Sequence, residues 1–134
     1  MRLIPLLIFG LLIGYQSSAQ QFLSTAEIIP IEEYENIHVQ KLDDDPLTTT
    51  FMIWVKETVK EHYHAEHTEV VYVLEGSGLM TLGEEEKKIT SGDYVFIPKG
   101  THHSVQVIGD IPMKVLSIQT PSFDGKDRVF VTQE

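Results

Sequence analysis

The sequence predicts an all-β domain, and three observations carry that prediction. From residue 37 onward, short apolar runs follow one another. Glycine or proline stands at nearly every break between them. Helical periodicity is absent over the same stretch. Short strands at this spacing, with punctuated corners, favour a small closed or sandwiched β fold. The 134 residues suit one domain with a single hydrophobic core.

The chain opens with Met1 and Arg2, a short positive start, followed by an apolar run from Leu3 to Tyr15. Ser17-Ser18-Ala19 then places small residues where a signal peptidase cleaves. This layout predicts a secretory signal peptide over residues 1–19 and export to a periplasm or the cell exterior. The apolar run is shorter than the roughly 20 residues that span a bilayer. Residues 20–36 read as an N-terminal arm, mobile or pairing at an edge, and 37–134 as the β domain.

Within that domain, Ile37 to Leu42 alternates and Asp43-Asp44-Asp45-Pro46 breaks it. Thr48 to Val59, rich in β-branched and aromatic residues, reads as the next strand. Glu69 to Leu74 is closed by Glu75-Gly76-Ser77-Gly78, and Leu79 to Leu82 by Gly83-Glu84-Glu85-Glu86. Lys87 to Thr90, Tyr94 to Ile97, His103 to Val107 and Met113 to Gln119 follow, with Phe123 to Val131 as a C-terminal edge strand. Val70, Tyr72 and Leu74 oppose Val71 and Val73, so both faces of that strand read as buried, against a second sheet or another subunit. The glycines at 76, 78 and 100 read as turn formers.

Composition narrows the chemistry. With no cysteine there is no disulfide, no thiolate metal site and no cysteine nucleophile. Ten basic side chains face twenty acidic ones, a net of −10; the chain from Gln20 onward loses Arg2 and reaches about −11. Such a surface repels phosphate backbones and anionic membranes and keeps a small domain soluble. A small molecule is the expected partner.

Five of the six histidines fall in two groups: His62 and His64, with His67 close behind, and His102 beside His103. Residues two apart in a strand share a face, so two imidazoles at 62 and 64 converge. Glu69, at the start of the next run, brings a carboxylate. His103 shares its face with Val105 and Val107, which read as interior, whereas His102 shares its face with Ser104 and Gln106. Alternation therefore selects His103 as the inward histidine. Tyr63 faces away from its neighbours and reads as a packing residue.

The same residues resemble the two motifs of the cupin superfamily, in particular its small single-domain bacterial members. His62-Tyr63-His64, four residues, Glu69, six residues and Gly76 is similar to the first motif; Gly92, five residues, Pro98-Lys99-Gly100, two residues and His103 is similar to the second. Fifteen residues separate Gly76 from Gly92, as in compact bacterial members. Lys56 stands where the first motif often opens with glycine, and Val107 where the second often closes with asparagine. Neither position is a ligand in the pattern, and both bear on subfamily. The resemblance implies a double-stranded β-helix (jelly-roll) barrel with one metal near its centre on His62, His64, Glu69 and His103, and frequent homodimerisation.

Three imidazoles and a carboxylate suit one divalent Mn, Fe, Ni, Co, Cu or Zn and leave coordination positions open. His67 and His102 are candidates for positions behind the ligands. Met52 and Trp54 share strand parity with His62 and His64 if no bulge intervenes, and are candidates to line the pocket mouth. The leading function is a metal-dependent enzyme acting on a small oxygen-rich molecule, with dioxygenase, decarboxylase, isomerase or lyase chemistry as the range the resemblance implies. The alternative is a binding module for a sugar or carboxylate that holds metal without turnover.

Overall fold

The computed structural model describes residues 20–131. The expected signal peptide lies outside the described residues. The described residues form ten strands: β1 (Ile37–Asp45), β2 (Thr48–Val55), β3 (Thr58–Tyr63), β4 (Thr68–Glu75), β5 (Ser77–Leu82), β6 (Glu85–Thr90), β7 (Tyr94–Ile97), β8 (His103–Val107), β9 (Met113–Thr120) and β10 (Val129–Phe130). They form two antiparallel five-stranded sheets, ordered β1-β2-β9-β4-β7 and β10-β3-β8-β5-β6. The core lies between the sheets: Val55, Val73, Ile97, Met113 and Val115 come from the first, and Met80 and Ile89 from the second. This is the all-β jelly-roll layout expected from the sequence.

Three differences from the sequence reading have clear physical causes. The acidic run does not end β1. Asp43, Asp44 and Asp45 pair with Thr50, Thr49 and Thr48 across a bulge after Lys41. β1 is an edge strand, where carboxylates stay hydrated. Asp45 Oδ1 then accepts the amides of Leu47 and Thr48 and makes the turn.

The run from Thr48 to Val59 is two strands in different sheets. Asn36 makes the corner between them. Its Oδ1 accepts the amides of Glu57 and Thr58, its Nδ2 donates to the Thr58 carbonyl, and its own carbonyl accepts the Lys56 amide. Among the described C-terminal residues, Val129 and Phe130 pair with Tyr63 and His62, and residues 121–128 cross the barrel mouth as irregular chain.

The arm forms no strand. It lies on the outer face of the first sheet, where Lys114 Nζ donates to the Thr25 carbonyl at 2.6 Å and Lys56 Nζ to the Tyr34 carbonyl at 2.6 Å. Met52, Trp54 and Lys114 are buried on this face, with His38 and Tyr34 around the Trp54 side. The neighbouring outer face of β4 and β7 stays open, with Tyr72, Tyr94 and Phe96 exposed.

Gly78 is a packing residue, not a turn former. A Cβ there would sit 2.6 Å from both Met113 Sδ and Val105 Cγ2. Gly76 is the turn residue, at φ +77°, and a Cβ there would lie 2.7 Å from the Pro112 carbonyl oxygen.

Candidate metal centre

The site begins with a defect in β3. Val59 pairs with Val105 and His62 with His103, so three steps on β3 oppose two on β8. One extra residue at Lys60–Glu61 makes a β-bulge, which reverses the side-chain parity of the strand. Val59 before it and His62 after it both line the barrel interior. His64 follows one step beyond the strand end and is also buried. The same bulge corrects the expectation for Met52 and Trp54. With parity reversed, Ile53 and Val55 line the interior cavity, while Met52 and Trp54 lie on the opposite face under the arm.

Glu69 comes from the other sheet. It is the second residue of β4 and pairs with Ile97 and Gln119. His103 is the first residue of β8. The Gly100 amide donates to the His64 carbonyl, tying the corner before His103 to the end of the first histidine segment. One potential ligand atom from each of His62, His64, Glu69 and His103 lies within 4.8 Å of the others, and all four residues are buried. Three imidazoles from one sheet thus face a carboxylate from the other.

The outward nitrogens of the rings explain which atoms face the centre. His62 Nδ1 donates to the Lys60 carbonyl at 2.8 Å, and His103 Nδ1 to the Thr101 carbonyl at 2.9 Å. His64 Nδ1 donates to the Asp127 carbonyl. A carbonyl only accepts, so each Nδ1 carries the proton and, in the neutral ring, each Nε2 presents a lone pair. Glu69 Oε1 accepts the Ser117 hydroxyl. Its Oε2 lies 3.3 Å from both His64 Nε2 and His103 Nε2.

The site therefore gathers acceptors that lack donors. His103 Nε2 is buried without a hydrogen-bond partner. The nearest polar group to His64 Nε2 besides Glu69 is Gln119 Nε2, at 3.5 Å. Buried polar atoms are normally satisfied, and converging lone pairs in a dry interior call for a cation. The donor set, three borderline nitrogens and a hard oxygen, fits a first-row divalent metal.

Electrostatics keep His62 neutral and Glu69 ionised, and draw His64 the other way. Burial, and then the charge His103 would carry, push the His62 ring down to about 4, so it stays neutral near pH 7. Burial also disfavours a charge on His64, but the Glu69 carboxylate and the Asp127 carbonyl outweigh it and shift that ring upward. Burial raises the Glu69 carboxyl, yet the His103 and His64 rings and the Ser117 hydroxyl hold it far below the ordinary carboxylate range. Glu69 is thus ionised in the interior. The guanidinium of Arg128 opposes protonation of both His62 and His64.

His67 and His102 part company. His67 is buried. Its Nδ1 meets Asp127 Oδ2 at 2.5 Å and its Nε2 meets the Ser122 carbonyl at 3.1 Å. Asp127 also accepts the amides of Ala65 and Glu66, each at 2.8 Å. The residue that holds His64 through its carbonyl therefore holds the rest of the loop through its carboxylate. These contacts, the His67 ring first among them, draw the Asp127 carboxyl down to about 2 against the effect of burial. His102 is exposed, bonded to Glu61 at 3.1 Å and stacked on Tyr63 at 4.9 Å, on the outside of the barrel. The expectation that it stands behind the ligands is corrected by strand alternation: it points away from them.

Sequence reasoning did not single out Ser117, Gln119, Asp127 or Arg128. Ser117 and Gln119 alternate on β9 toward the interior, a signal that was present in the sequence. Asp127 and Arg128 lie in irregular chain, where no periodicity marks them.

The cupin domain profile matches residues 49–119. The chain belongs to the cupin family. An uncharacterised protein of Aquifex aeolicus is 40% identical over 116 residues, covering 81% of this chain and 95% of that one. A double-stranded β-helix protein from Klebsiella pneumoniae shares the fold at TM-score 0.71 and 13% identity, covering 86% of this cupin and 100% of that chain. Streptomyces PAC13 with uridine shares it at TM-score 0.67 and 18% identity, covering 85% and 92%.

Beside the centre opens a cavity of about 450 Å³, lined by Phe51, Ile53, Ser117, Gln119, Phe123 and Arg128 among others. Small-molecule sites fall at roughly 300–1,000 Å³.

Proposed function

We propose that this chain is an exported, metal-dependent cupin enzyme acting on a small oxygen-rich organic molecule. The observation that carries the reading is the gathering of buried acceptor atoms from His62, His64, Glu69 and His103 beside an open cavity. These four residues would hold one divalent ion. When bound, such an ion supplies Lewis acidity toward a carbonyl or carboxylate oxygen.

The chain's own residues do the rest. The Lys60, Thr101 and Asp127 carbonyls orient the three rings. Ser117 fixes Glu69. Gln119, whose Oε1 is buried and unpartnered, offers an amide to a substrate oxygen or hydroxyl. Phe51 and Phe123, edge to face at 6.1 Å, supply the apolar wall that excludes water.

A second reading, a binding module without turnover, is favoured by one feature. Apart from the four candidate ligands, the ionisable side chains lining the two cavities at the centre are Lys41, Asp124 and Arg128. Lys41 and Asp124 are exposed at the rim, so among the described residues no buried acid or base other than the ligands and Arg128 lines these cavities. Proton transfer would then fall to solvent or to the substrate's own groups.

Metal analysis of protein purified from its natural compartment, followed by a substrate screen of metal-replete protein with and without O₂, distinguishes the two. Metal-dependent turnover supports the enzyme. Tight, metal-independent ligand binding without turnover supports the module. Export rests on residues 1–19, and exported protein should begin at or near Gln20; an intact Met1 would contradict it. The exposed Tyr72, Tyr94 and Phe96 fit a second copy of the chain, and sedimentation showing only monomer would contradict that assignment.

A further inference from the structure

Arg128 is out of place in this molecule unless something meets it. The chain carries twice as many acids as bases; Lys60, Lys87, Lys88 and Lys99 are exposed to water, and other cations are engaged. Lys41 pairs with Asp44, Lys114 with Glu75 and the Thr25 carbonyl, and Lys126 with Asp124. Arg128 makes no hydrogen bond or ion pair with any described residue, and its Nε is buried without a partner. It is partly buried and lines both the interior cavity that contains His62, Glu69 and His103 and the wider one that contains Ser117 and Gln119. The nearest carboxylate in sequence, Asp127, is already taken up by His67 and two amides.

Backbone geometry keeps it there. Val129 and Phe130 pair with Tyr63 and His62, and the Phe130 ring packs 6.0 Å from the His62 ring. Arg128 is thus held between the Asp127 clamp and β10, at the mouth of the barrel. Its Nε is shielded from water without a partner while the rest of the group stays reachable from the cavities, and the planar fork of a guanidinium matches a carboxylate with two parallel hydrogen bonds.

The charge balance points the same way. With three neutral imidazoles, Glu69 and Arg128, a divalent ion would leave the centre with a net positive charge inside an acidic protein. Such a cleft draws in a small anion while the surface repels large polyanions.

We infer that Arg128 is the anchor for an anionic substrate, a small organic carboxylate whose acid group takes the guanidinium while its remaining polar atoms face the metal centre and Gln119. The inference rests on the proposed function for its second contact only. The Phe51 and Phe123 walls accept the apolar part of such a molecule.

The test is calorimetric titration of the full chain from Gln20 onward, metal-loaded and metal-free, with acetate, pyruvate and benzoate and with the matching neutral amides. Wild type should bind at least one carboxylate more tightly than its amide. Arg128→Gln should lose about 10- to 100-fold of that affinity, the range of a charged hydrogen bond. Its amide binding, metal content and circular dichroism should be unchanged. Arg128→Lys should recover part of the loss, since it restores charge but not the fork.

No carboxylate preferred over its amide, or equal carboxylate binding by wild type and Arg128→Gln, overturns the inference. Failure of the protein to take up any metal would instead sink the proposed function. The metal-free titration would still decide Arg128: a carboxylate preference lost in Arg128→Gln supports the anchor, and no preference overturns it.

Discussion

Replacing Asp127 with alanine should loosen the metal centre without touching a ligand. The carboxylate accepts three hydrogen bonds, from the Ala65 and Glu66 amides at 2.8 Å and from His67 Nδ1 at 2.5 Å. The two amides belong to exposed residues, where water can replace the acceptor, so each loss costs about 0.5–1.5 kcal/mol. The His67 ring is buried, and leaving its Nδ1 unpaired costs about 1–3 kcal/mol. Together they amount to about 2–6 kcal/mol, with the lower half expected because the loop can relax. The Asp127 carbonyl survives the substitution, but the segment that aims it at His64 Nδ1 is no longer fixed. Metal affinity should therefore fall by about 10- to 100-fold, the usual effect of losing a ligand's orienting partner. Urea unfolding of the metal-free protein measures the first quantity and competitive titration against a chromophoric chelator the second. A destabilised Asp127→Ala that bound metal as tightly as wild type would refute the orienting role.

Three further outcomes follow from the same geometry. His103→Ala should lose most of the metal affinity while His102→Ala keeps it; equal losses by competitive titration would contradict the burial of one and the outward stacking of the other. In the metal-free protein the carboxyl of Asp127, held at about 2 against an ordinary 3.8, contributes stability that is complete above about pH 4 and is lost as pH falls toward 2. Asp127→Asn should flatten the stability profile in that window, and an unchanged slope in acid unfolding would count against it. Gly78→Ala should destabilise by about 1–3 kcal/mol, because its Cβ would meet Met113 and Val105 in a closed space; a neutral result in denaturant melts would mean the barrel wall yields there.

Much of the architecture was legible because short strands with glycine and proline corners leave few alternatives. Tyr94–Ile97 and His103–Val107 coincide with their expected spans, and the alternation of His103 with Val105 marked the inner face. The parity argument for Met52 and Trp54 failed at a single residue. The bulge at Lys60–Glu61 is set by pairing with β8, which has no local sequence signature. The corner at Lys56–Glu57 was hidden for a similar reason, since Asn36, twenty-odd residues upstream, makes it. Asp127 and Arg128 gain their meaning only when residues 121–128 fold back over the mouth, a tertiary contact that residue patterning does not encode.

The central claim is that one ion sits between the sheets on the Nε2 atoms of three histidines and one carboxylate. Anomalous diffraction at the metal's absorption edge, from crystals of metal-loaded protein, tests it most directly. The account predicts a single peak bonded to Nε2 of His62, His64 and His103 and to an oxygen of Glu69, with each Nδ1 still on its carbonyl. A peak on His102 and Glu61, ligation through Nδ1, or no peak between the sheets would contradict it.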